Sequence, residues 1–463
     1  MTKIISSVNA IVWGAPALIM ILGVGLYLTV RLNAVQLRFL PKAFHQLAKM
    51  LHAKYSGGVS QIQALCTALA ATVGTGNLVG VAGAICLGGP GAVFWMWISG
   101  ILGMVTKYTE ALLAVRYRVK TSLGYAGGPM YIITQALPAG FRFLAWMYAL
   151  FGVIAAFGVG NATQINTAVT GIREVFRFYQ LDMTPVISLM LAVLLAGVTG
   201  LLLFGGAKSI GRAAERLVPF AAAGYILLCF GVLCLRWRQL PDAFCLIFQG
   251  AFSPRAVTGG MIGSSFRTLR IGCSRGVFTN EAGMGTASIA HAGAEEIHPA
   301  QQGLMGIMEV FLDTIVICTM TALVILVSGV LVPYGSDAGG ELTTAAFSAV
   351  YGGRAVLLLA AAMTLFAVAT VLGWGFYGAR CAQFLFGPES WPYFAALQII
   401  TVFAASFLET SLIWQFSEAV NGLMAIPNLI TLALLAPEAA RLTKEYRKSG
   451  ISDAGGGNYA DFH

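Results

Sequence analysis

The sequence contains few charged residues. Asp, Glu, Lys and Arg together make up 10% of its 463 residues, against about 25% in soluble domains. Hydrophobic residues reach 58%, against roughly 45–50% in soluble domains. This apolar surface exceeds what one aqueous core can hide, so the composition excludes a soluble globular protein and predicts that lipid covers the rest.

The chain also lacks the cysteine and histidine patterns that hold metals or carry redox chemistry. Its eight cysteines stand singly, without a C-x-x-C pair, and we interpret them as small buried hydrophobic residues. No H-E-x-x-H metal motif occurs. We therefore expect a protein that is not an enzyme and has no cofactor.

The net charge of +9 does not indicate nucleic-acid binding, because the basic residues are spread among loops between apolar segments. Most of them fall on one side of the membrane if the N-terminus lies outside and the C-terminus in the cytoplasm. Such an excess marks the cytoplasmic side of a membrane protein. The sequence therefore predicts this orientation, in the cell (inner) membrane, with the lipid bilayer as partner and no nucleic acid.

Apolar segments long enough to cross a bilayer recur along the whole chain. A hydrocarbon core of about 30 Å needs roughly 20 apolar residues per helix. The sequence predicts eleven such helices near residues 10–30, 62–86, 91–117, 143–171, 184–204, 213–235, 257–291, 302–330, 354–385, 393–414 and 417–440. The fold class is thus an all-α membrane protein.

Two further segments lie outside these helices. Residues 32–61 are mildly amphipathic, which is typical of a helix on the cytoplasmic membrane surface. Residues 441–463 form a predicted cytoplasmic tail. Residues 1–31 then make one extra N-terminal transmembrane helix, ahead of the ten that follow.

The second apolar segment is interrupted by polar residues and glycine. It contains Gly74-Thr75-Gly76-Asn77 at mid-membrane, where a regular helix gains nothing from them. One explanation is a small-residue face for helix packing, shared by Gly74, Gly76 and Gly80. The other is an unwound break, whose carbonyl groups suit Na⁺ and whose amide groups suit a carboxylate.

A second interruption, five helices later, favours the break. Residues 276–285 read Gly-Val-Phe-Thr-Asn-Glu-Ala-Gly-Met-Gly inside another apolar span. Broken helices at matching places in two five-helix halves are typical of an inverted-repeat transporter. We assign the first repeat to residues 62–235 and the second to residues 257–440.

These segments resemble the alanine or glycine:cation symporter family, which adopts the leucine-transporter fold. The resemblance rests on Val73-Gly-Thr-Gly-Asn-Leu-Val-Gly-Val81, on residues 87–97 (Leu-Gly-Gly-Pro-Gly-Ala-Val-Phe-Trp-Met-Trp), on Gly127-Gly-Pro-Met130 and on Asn280-Glu-Ala-Gly-Met-Gly285. Weaker similarities extend it over most of the chain. It implies a secondary active transporter that moves alanine or glycine into the cell with sodium by alternating access.

The resemblance also implies roles for single residues. Thr75 and Gly76 would offer amides to the substrate carboxylate, and Asn77 would bind the amino group or an ion. The carbonyls of Ala70 and Val73, facing the Thr370 hydroxyl, would bind Na⁺. The family pattern has paired threonines where this chain has Ala369-Thr370, which puts the number of sodium ligands in question.

Other polar and aromatic residues of the apolar segments have two interpretations each. Gln164 is a candidate substrate ligand, while Asn161 and Asn166 fit packing contacts equally well. Phe278 and Trp374 either wall the side-chain pocket or pack between helices.

The acidic residues of these segments also have more than one possible role. An ion path, a proton relay and structural hydrogen bonding are the alternatives for Glu281, Glu309 and Asp313. Glu110, near Lys107, fits an ordinary gate or packing pair.

Two other functions remain to be weighed. A proton-coupled amino-acid carrier or exchanger of the same fold would use Glu281, Glu309 or Asp313 as its proton site. An ion channel would need a continuous pore and usually a symmetric arrangement of subunits, which two asymmetric broken helices do not favour.

Overall fold

The structure is a computed structural model that describes residues 13–52, 59–121, 124–294, 298–336, 339–407 and 410–448. Parts of the predicted surface segment (53–58) and of the predicted tail (449–463) lie outside these residues, as do residues 1–12. The described chain is helical apart from one antiparallel hairpin, formed by β1 (Val119–Thr121) and β2 (Gly124–Ala126).

The described residues of the first half of the chain form eleven α-helices. They are α1 (Ala15–Arg31), α2 (Val35–Arg38), α3 (Leu40–His52), α4 (Gln61–Thr72), α5 (Val81–Gly88), α6 (Ala92–Arg116), α7 (Pro129–Ala136), α8 (Arg142–Phe157), α9 (Thr163–Phe178), α10 (Pro185–Phe204) and α11 (Gly206–Leu235). Two π-helical turns, Gly76–Gly80 and Gly158–Ala162, lie before α5 and between α8 and α9. Such turns widen a helix and often mark functional sites.

The second half continues in the same manner. Its helices are α12 (Leu240–Phe252), α13 (Pro254–Val257), α14 (Ser265–Asn280), α15 (Thr286–His291), α16 (Pro299–Val310), α17 (Thr319–Val327), α18 (Gly339–Tyr351), α19 (Ala355–Phe386), α20 (Trp391–Ala405) and α21 (Thr410–Lys448). A third π-helical turn, Phe311–Cys318, joins α16 to α17.

Both predicted breaks are present. Helix α4 ends at Thr72, and the chain resumes as a helix at Gly76 with a bend of 48°. Helix α14 ends at Asn280, and α15 begins at Thr286. In both places the glycine and small polar residues permit backbone conformations that a continuous helix of larger side chains would not adopt.

The predicted number of eleven membrane helices is not confirmed. Within the described residues, seven helices are long and apolar enough to cross a membrane, or eight if the bent pair around the first break counts as one span. Helix α14 is short and carries three arginines, and α20 has 15 residues. The count of eleven therefore stays a prediction.

Several predicted helix boundaries are wrong by seven or eight residues, among them the start of α11 at Gly206 (predicted 213) and the end of α9 at Phe178 (predicted 171). The apolar segment 393–414 ends as a helix at Ala405, and the next helix begins at Thr410, ahead of the predicted residue 417. Ser406 lies in the turn, and Thr410 and Ser411 begin α21, but a hydropathy window of about 20 residues averages these polar residues with their apolar neighbours. The predicted boundaries of the two repeats stay predictions.

The outer surface of the bundle is apolar. Helix α10 exposes large hydrophobic side chains along its length, including Val186, Met190, Val193, Leu194 and Leu201. A soluble protein rarely exposes such a continuous apolar surface. This apolar surface and the apolar helices together show that the chain is a multi-pass membrane protein.

Packing in the interior places both breaks in the middle of the bundle. Helix α6 packs against α14 and α16, while α19 packs against α4, α8 and α9. A Cβ atom at Gly373 of α19 would lie 2.8 Å from the Ala71 amide nitrogen, so the two backbones touch near the end of α4. This close approach sets α19 beside the first break.

Candidate functional site

The first break leaves two carbonyl groups without their helical donors. The Gly74 amide would continue the helix by donating to Ala70, but it donates to Asn77 Oδ1 at 2.9 Å. The Asn77 amide would donate to Val73, but it donates to the Gly74 carbonyl at 3.3 Å. The carbonyl oxygens of Ala70 and Val73 are thereby released from these helical hydrogen bonds at the end of α4, where the helix dipole is negative.

Thr370 of α19 lies against the same break. Its hydroxyl oxygen would be 2.6 Å from a Cβ atom at Gly74. The Thr370 side chain is buried, and its hydroxyl has no hydrogen-bond partner among the described residues. On the same helix, Thr364 donates to the Ala360 carbonyl at 2.7 Å. The structure therefore places the Thr370 hydroxyl against the break at whose start the Ala70 and Val73 carbonyls are released.

Asn77 connects the first break to the π-helical turn between α16 and α17. Its amide group donates to Asp313 Oδ1 at 2.6 Å and to Cys318 Sγ at 3.3 Å. The Asn77 and Asp313 side chains are both fully buried. Since the Asn77 oxygen accepts from Gly74, this one side chain shapes the break and holds a buried carboxyl group.

The second break meets the same carboxyl group from the other side. Thr314 donates to Asp313 Oδ2 at 2.8 Å and accepts from the Asn280 amide group at 3.1 Å. Asn280 is the last residue of α14, and its oxygen accepts from the Ala282 amide at 2.9 Å. A continuous chain of hydrogen bonds thus links the two breaks through Asn77, Asp313, Thr314 and Asn280.

Gln164 contacts the first break from α9. Its Oε1 atom accepts from the Thr75 hydroxyl at 2.7 Å, and its Nε2 atom donates to the Val159 carbonyl in the π-helical turn at 3.1 Å. Asn161 lies elsewhere, because its amide donates to Gln398 of α20. The side chains of Gln164 and Asn161, assigned similar possibilities from sequence, therefore occupy different surroundings.

Trp374 lies between the two breaks and is fully buried. Its indole nitrogen donates to Glu281 Oε1 at 2.8 Å, and its ring rests on the backbone of Gly160, where a Cβ atom would collide with it. Phe278 belongs to the same hydrophobic cluster. Trp374 is therefore fixed by a hydrogen bond as well as by packing.

Glu281 itself occupies the left-handed backbone region, with φ 54°. Its second oxygen accepts from the Thr286 hydroxyl at 2.6 Å. The glutamate thereby ties α15 to Trp374 of α19 across the break. For a residue that is not glycine, this backbone conformation is uncommon and is held in place by the surrounding contacts.

The Glu110 side chain holds the backbone of the second break, a role that its sequence position does not suggest. Its Oε1 atom accepts from the amides of Gly283 and Gly285, at 2.9 and 3.1 Å, and from the Asn428 side chain at 2.8 Å. Glu110 is buried on α6, whereas the glycines form the second break. The only sequence signal was an acidic residue inside an apolar segment.

A second buried network of polar side chains lies one helical turn from Glu110 on α6. Lys107 forms an ion pair with Glu309 at 2.8 Å, and both side chains are completely buried. The other Glu309 oxygen is 3.2 Å from His291 Nε2, and His291 Nδ1 is 2.7 Å from Gln302. These contacts join α6, α15 and α16.

A cavity of about 820 Å³ approaches the first break from the end of the bundle where α4 begins. Its wall includes Ala64 and Thr67 of α4, Ala290 of α15, Arg380 of α19 and Trp391 of α20. Thr67 lies about two helical turns before Gly74. The cavity therefore follows α4 and α15 toward the breaks.

Two segments match short catalytic patterns but lie in the wrong structural setting. Residues 272–276 fit G-x-S-x-G, and residues 373–378 fit G-x-G-x-x-G. The first pattern requires a strand-to-helix turn, and the second a loop between a strand and a helix. Both segments are helix interiors in α14 and α19, so neither forms such a site.

Comparison with protein families matches residues 1–455 to the model of the sodium:alanine symporter family. The sodium/alanine symporter AgcS of Methanococcus maripaludis is 40% identical over 462 residues, covering 98% of each chain. An uncharacterized transporter of Haemophilus influenzae is 42% identical over 451 residues, covering 96% of each chain.

Among solved structures, MhsT in complex with L-phenylalanine has a similar fold. The TM-score is 0.58 at 12% sequence identity, and the match covers 85% of this chain and 99% of that chain. The match is in fold alone. It confirms the all-α leucine-transporter fold predicted from the sequence.

Proposed function

The chain belongs to the sodium:alanine symporter family, and from this premise we propose that it carries alanine or glycine into the cell together with sodium. Family membership makes it an amino-acid transporter in a membrane and not an enzyme. The coupling ion, the two substrates and the inward direction are the proposal. We also propose that the protein lies in the cell membrane with its N-terminus outside, and the distribution of basic residues supports this orientation.

One observation carries the sodium part of the proposal. The Ala70 and Val73 carbonyls are released from their helical donors, and the Thr370 hydroxyl, which has no partner in the described chain, lies against Gly74 of the same break. Buried polar groups are almost always hydrogen-bonded, so an unsatisfied set of oxygen atoms needs a ligand. Oxygen ligands at the negative end of a half-helix suit Na⁺. Ala369 adds no hydroxyl, so the site would use fewer side-chain ligands than a paired threonine would offer.

The substrate would bind on the other side of the same break. The Thr75 and Gly76 amides begin the second half-helix, whose positive end attracts a carboxylate. Asn77 and Gln164 would orient the polar end of the amino acid, because both side chains already contact the break. Phe278 and Trp374 would limit the space for its side chain.

This arrangement couples the two solutes through one short segment. Sodium would hold the carbonyl end of the break at Ala70 and Val73, and the substrate would hold the amide end at Thr75 and Gly76. Each ligand would thus stabilise the backbone conformation that the other requires, which gives reciprocal coupling. The cavity along α4 and α15 would form the inner part of the path during alternating access.

We expect Thr370→Val to weaken sodium binding without removing substrate binding at saturating sodium. The valine keeps the shape of the side chain but loses a ligand oxygen that contributes about 1–3 kcal/mol, which corresponds to roughly a ten- to hundredfold rise in the half-saturating sodium concentration. Alanine uptake by protein in liposomes, measured against external sodium, gives this value.

The matched control is Thr364→Val on the same helix. The Thr364 hydroxyl bonds to its own helix, so its loss should leave the sodium dependence unchanged. Equal sodium curves for wild type and Thr370→Val would remove Thr370 from the ion site.

We expect Trp374 to exclude large substrates. If its ring and that of Phe278 close over the substrate side chain, leucine overlaps them at a cost of roughly 1–3 kcal/mol, and alanine and glycine bind better. Trp374→Ala should therefore admit larger amino acids while weakening alanine through lost contact area. Competition of unlabelled amino acids against labelled alanine measures both effects.

Trp97→Ala is a matched control for this prediction. Trp97 also donates its indole N–H to a side chain, Thr319, at 2.8 Å, but it lies on α6 away from the second break. Its loss should keep the wild-type ranking of substrates. A transporting Trp374→Ala variant with that same ranking would mean that Trp374 only packs between helices.

One observation favours a proton as the coupling ion instead. Near the breaks, four carboxyl groups are buried with a single lysine, Lys107; they belong to Glu110, Glu281, Glu309 and Asp313. Burying charges without compensation is strongly unfavourable, so protons or bound cations must balance them. Alanine accumulation driven by a pH gradient in sodium-free medium would select the proton-coupled carrier or exchanger.

A further inference from the structure

A recess of about 340 Å³ lies between the N-terminal helices and the end of α21. Four basic residues line it: Arg31 at the end of α1, Arg38 at the end of α2, and Lys444 and Arg447 on α21. None of the four forms an ion pair with a residue in the described part of the chain. The recess is therefore a concave site with an uncompensated positive charge.

Helix α21 separates its charges onto two faces. Ala440, Thr443, Lys444 and Arg447 follow the spacing of one helical face, and all four line the recess. Arg441 lies on another face, where it pairs with Glu438 at 2.7 Å and with Glu445 at 2.6 Å. The acidic residues of this helix segment thus neutralise the arginine outside the recess and not the cations inside it.

The floor of the recess is fixed by packing. Leu32, Val35 and Phe39 are buried beneath the charged side chains. Phe39 packs edge-on against Tyr446, and the Thr443 hydroxyl bonds to Tyr108 at 3.0 Å. The backbone that carries the cations is therefore held in place before any ligand binds.

The recess lies where the apolar surface of the bundle ends. Helix α1 exposes Ile19, Leu26 and Val30 along its outer side, and Arg31 follows directly. Beyond it, Leu37, Phe44 and Leu51 are exposed at seven-residue intervals, which is typical of a helix lying in a membrane interface. A ligand in the recess would thus have its polar part at headgroup level and its apolar part along α1.

We propose that this recess binds the headgroup of an anionic phospholipid. The phosphate group would contact the Arg and Lys side chains, since arginine pairs with phosphate through two parallel hydrogen bonds. The acyl chains would lie on the exposed apolar side of α1. Basic pockets beside transmembrane helices bind such headgroups, and this site joins the N-terminal helix to the C-terminal end of α21.

The test compares lipid binding to the purified full chain in neutral detergent, by native mass spectrometry. Dioleoyl phosphatidylglycerol should bind at least tenfold more tightly than dioleoyl phosphatidylcholine. The double variant Arg38→Gln/Arg447→Gln should lose roughly thirtyfold in affinity for the anionic lipid, at about 1 kcal/mol for each charge. Binding of phosphatidylcholine should not change.

Two control variants separate the recess from general charge. Arg441→Gln removes the same charge from the same helix outside the recess and should keep wild-type lipid preference. Arg38→Lys/Arg447→Lys keeps both charges and should retain most of it. If the double glutamine variant does not fold, the single variants Lys444→Gln and Arg447→Gln should each weaken binding about fivefold.

Three results would overturn the proposal. These are equal affinity for the two lipids, a double variant that behaves like Arg441→Gln, or displacement of the lipid by millimolar inorganic phosphate or glycerol phosphate. The last result would assign the recess to a soluble anion. Because the readout is lipid binding, none of these outcomes depends on sodium-coupled transport.

Discussion

Replacing Asn77 with alanine should abolish sodium-dependent alanine uptake. Asn77 supplies the oxygen that holds the Gly74 amide at the break, and its amide group satisfies a fully buried oxygen of Asp313. Removing one partner of a buried charged group costs about 3–5 kcal/mol, which exceeds the loss of one ordinary hydrogen bond. The loss of binding should therefore exceed a hundredfold.

Asn161→Ala is the control for this prediction. Asn161 is another fully buried asparagine, but its amide bonds to Gln398 of α20 and not to a break. Its replacement should reduce thermal stability while leaving the sodium and alanine dependence near wild type. The two variants are compared by alanine binding and uptake, measured at equal amounts of folded protein. Near-normal uptake by Asn77→Ala would place the site elsewhere.

Replacing Glu110 with alanine should have an effect of similar size, although Glu110 would not touch the substrate. One oxygen of this side chain holds two amides of the second break and the Asn428 amide group. Alanine leaves the Gly283 and Gly285 amides unsatisfied, at about 1–3 kcal/mol each, and removes one of the two hydrogen bonds that the Asn428 amide group donates. We expect transport to fall at least a hundredfold, because the second break no longer keeps one conformation.

Glu110→Gln separates the hydrogen bonds from the charge. Glutamine keeps an acceptor oxygen for the break but places an NH₂ group at Oε2, which has no partner among the described residues. Transport by Glu110→Gln should fall about tenfold, to a rate between those of wild type and Glu110→Ala. Glu215→Ala, which removes a half-buried carboxylate that bonds to Gln63, should transport normally. A fully active Glu110→Ala would contradict the role of Glu110 in shaping the break.

The sequence predicted the breaks well because their cause is local. Glycine and small polar residues within an apolar span are unfavourable in a continuous membrane helix, and both breaks occur where they cluster. The positions of Thr75, Asn77 and Gln164 followed from the same reasoning together with the family resemblance. All three lie at the first break.

The partners of these residues depend on contacts between distant helices, which no local pattern specifies. Asp313 was one of three acidic residues with open roles, and only the packing of its π-helical turn against the first break places it on Asn77. For the same reason, the sequence favoured a gate or a packing pair for Glu110 and did not reveal its partners in the second break. Likewise, the hydrogen bond from Trp374 to Glu281 requires α19 to pass beside the second break.

Boundaries failed where hydropathy is a poor guide. Ser406, Thr410 and Ser411 mark the turn between α20 and α21, but a window of about 20 residues averages them with their apolar neighbours. Helix α14 carries Arg267, Arg270 and Arg275, and its composition therefore falls short of an ordinary membrane span. Helix α14 takes its place in the bundle by packing against α6. The periodicity of one sequence does not reveal which helices pack against each other.

Sodium coupling is tested most directly by alanine accumulation by the purified protein in liposomes, with an inward sodium gradient and equal pH on both sides. Labelled alanine should rise above its external concentration only while the sodium gradient lasts, and glycine should compete with it while leucine should not. Equal accumulation after replacement of sodium by choline would contradict sodium coupling.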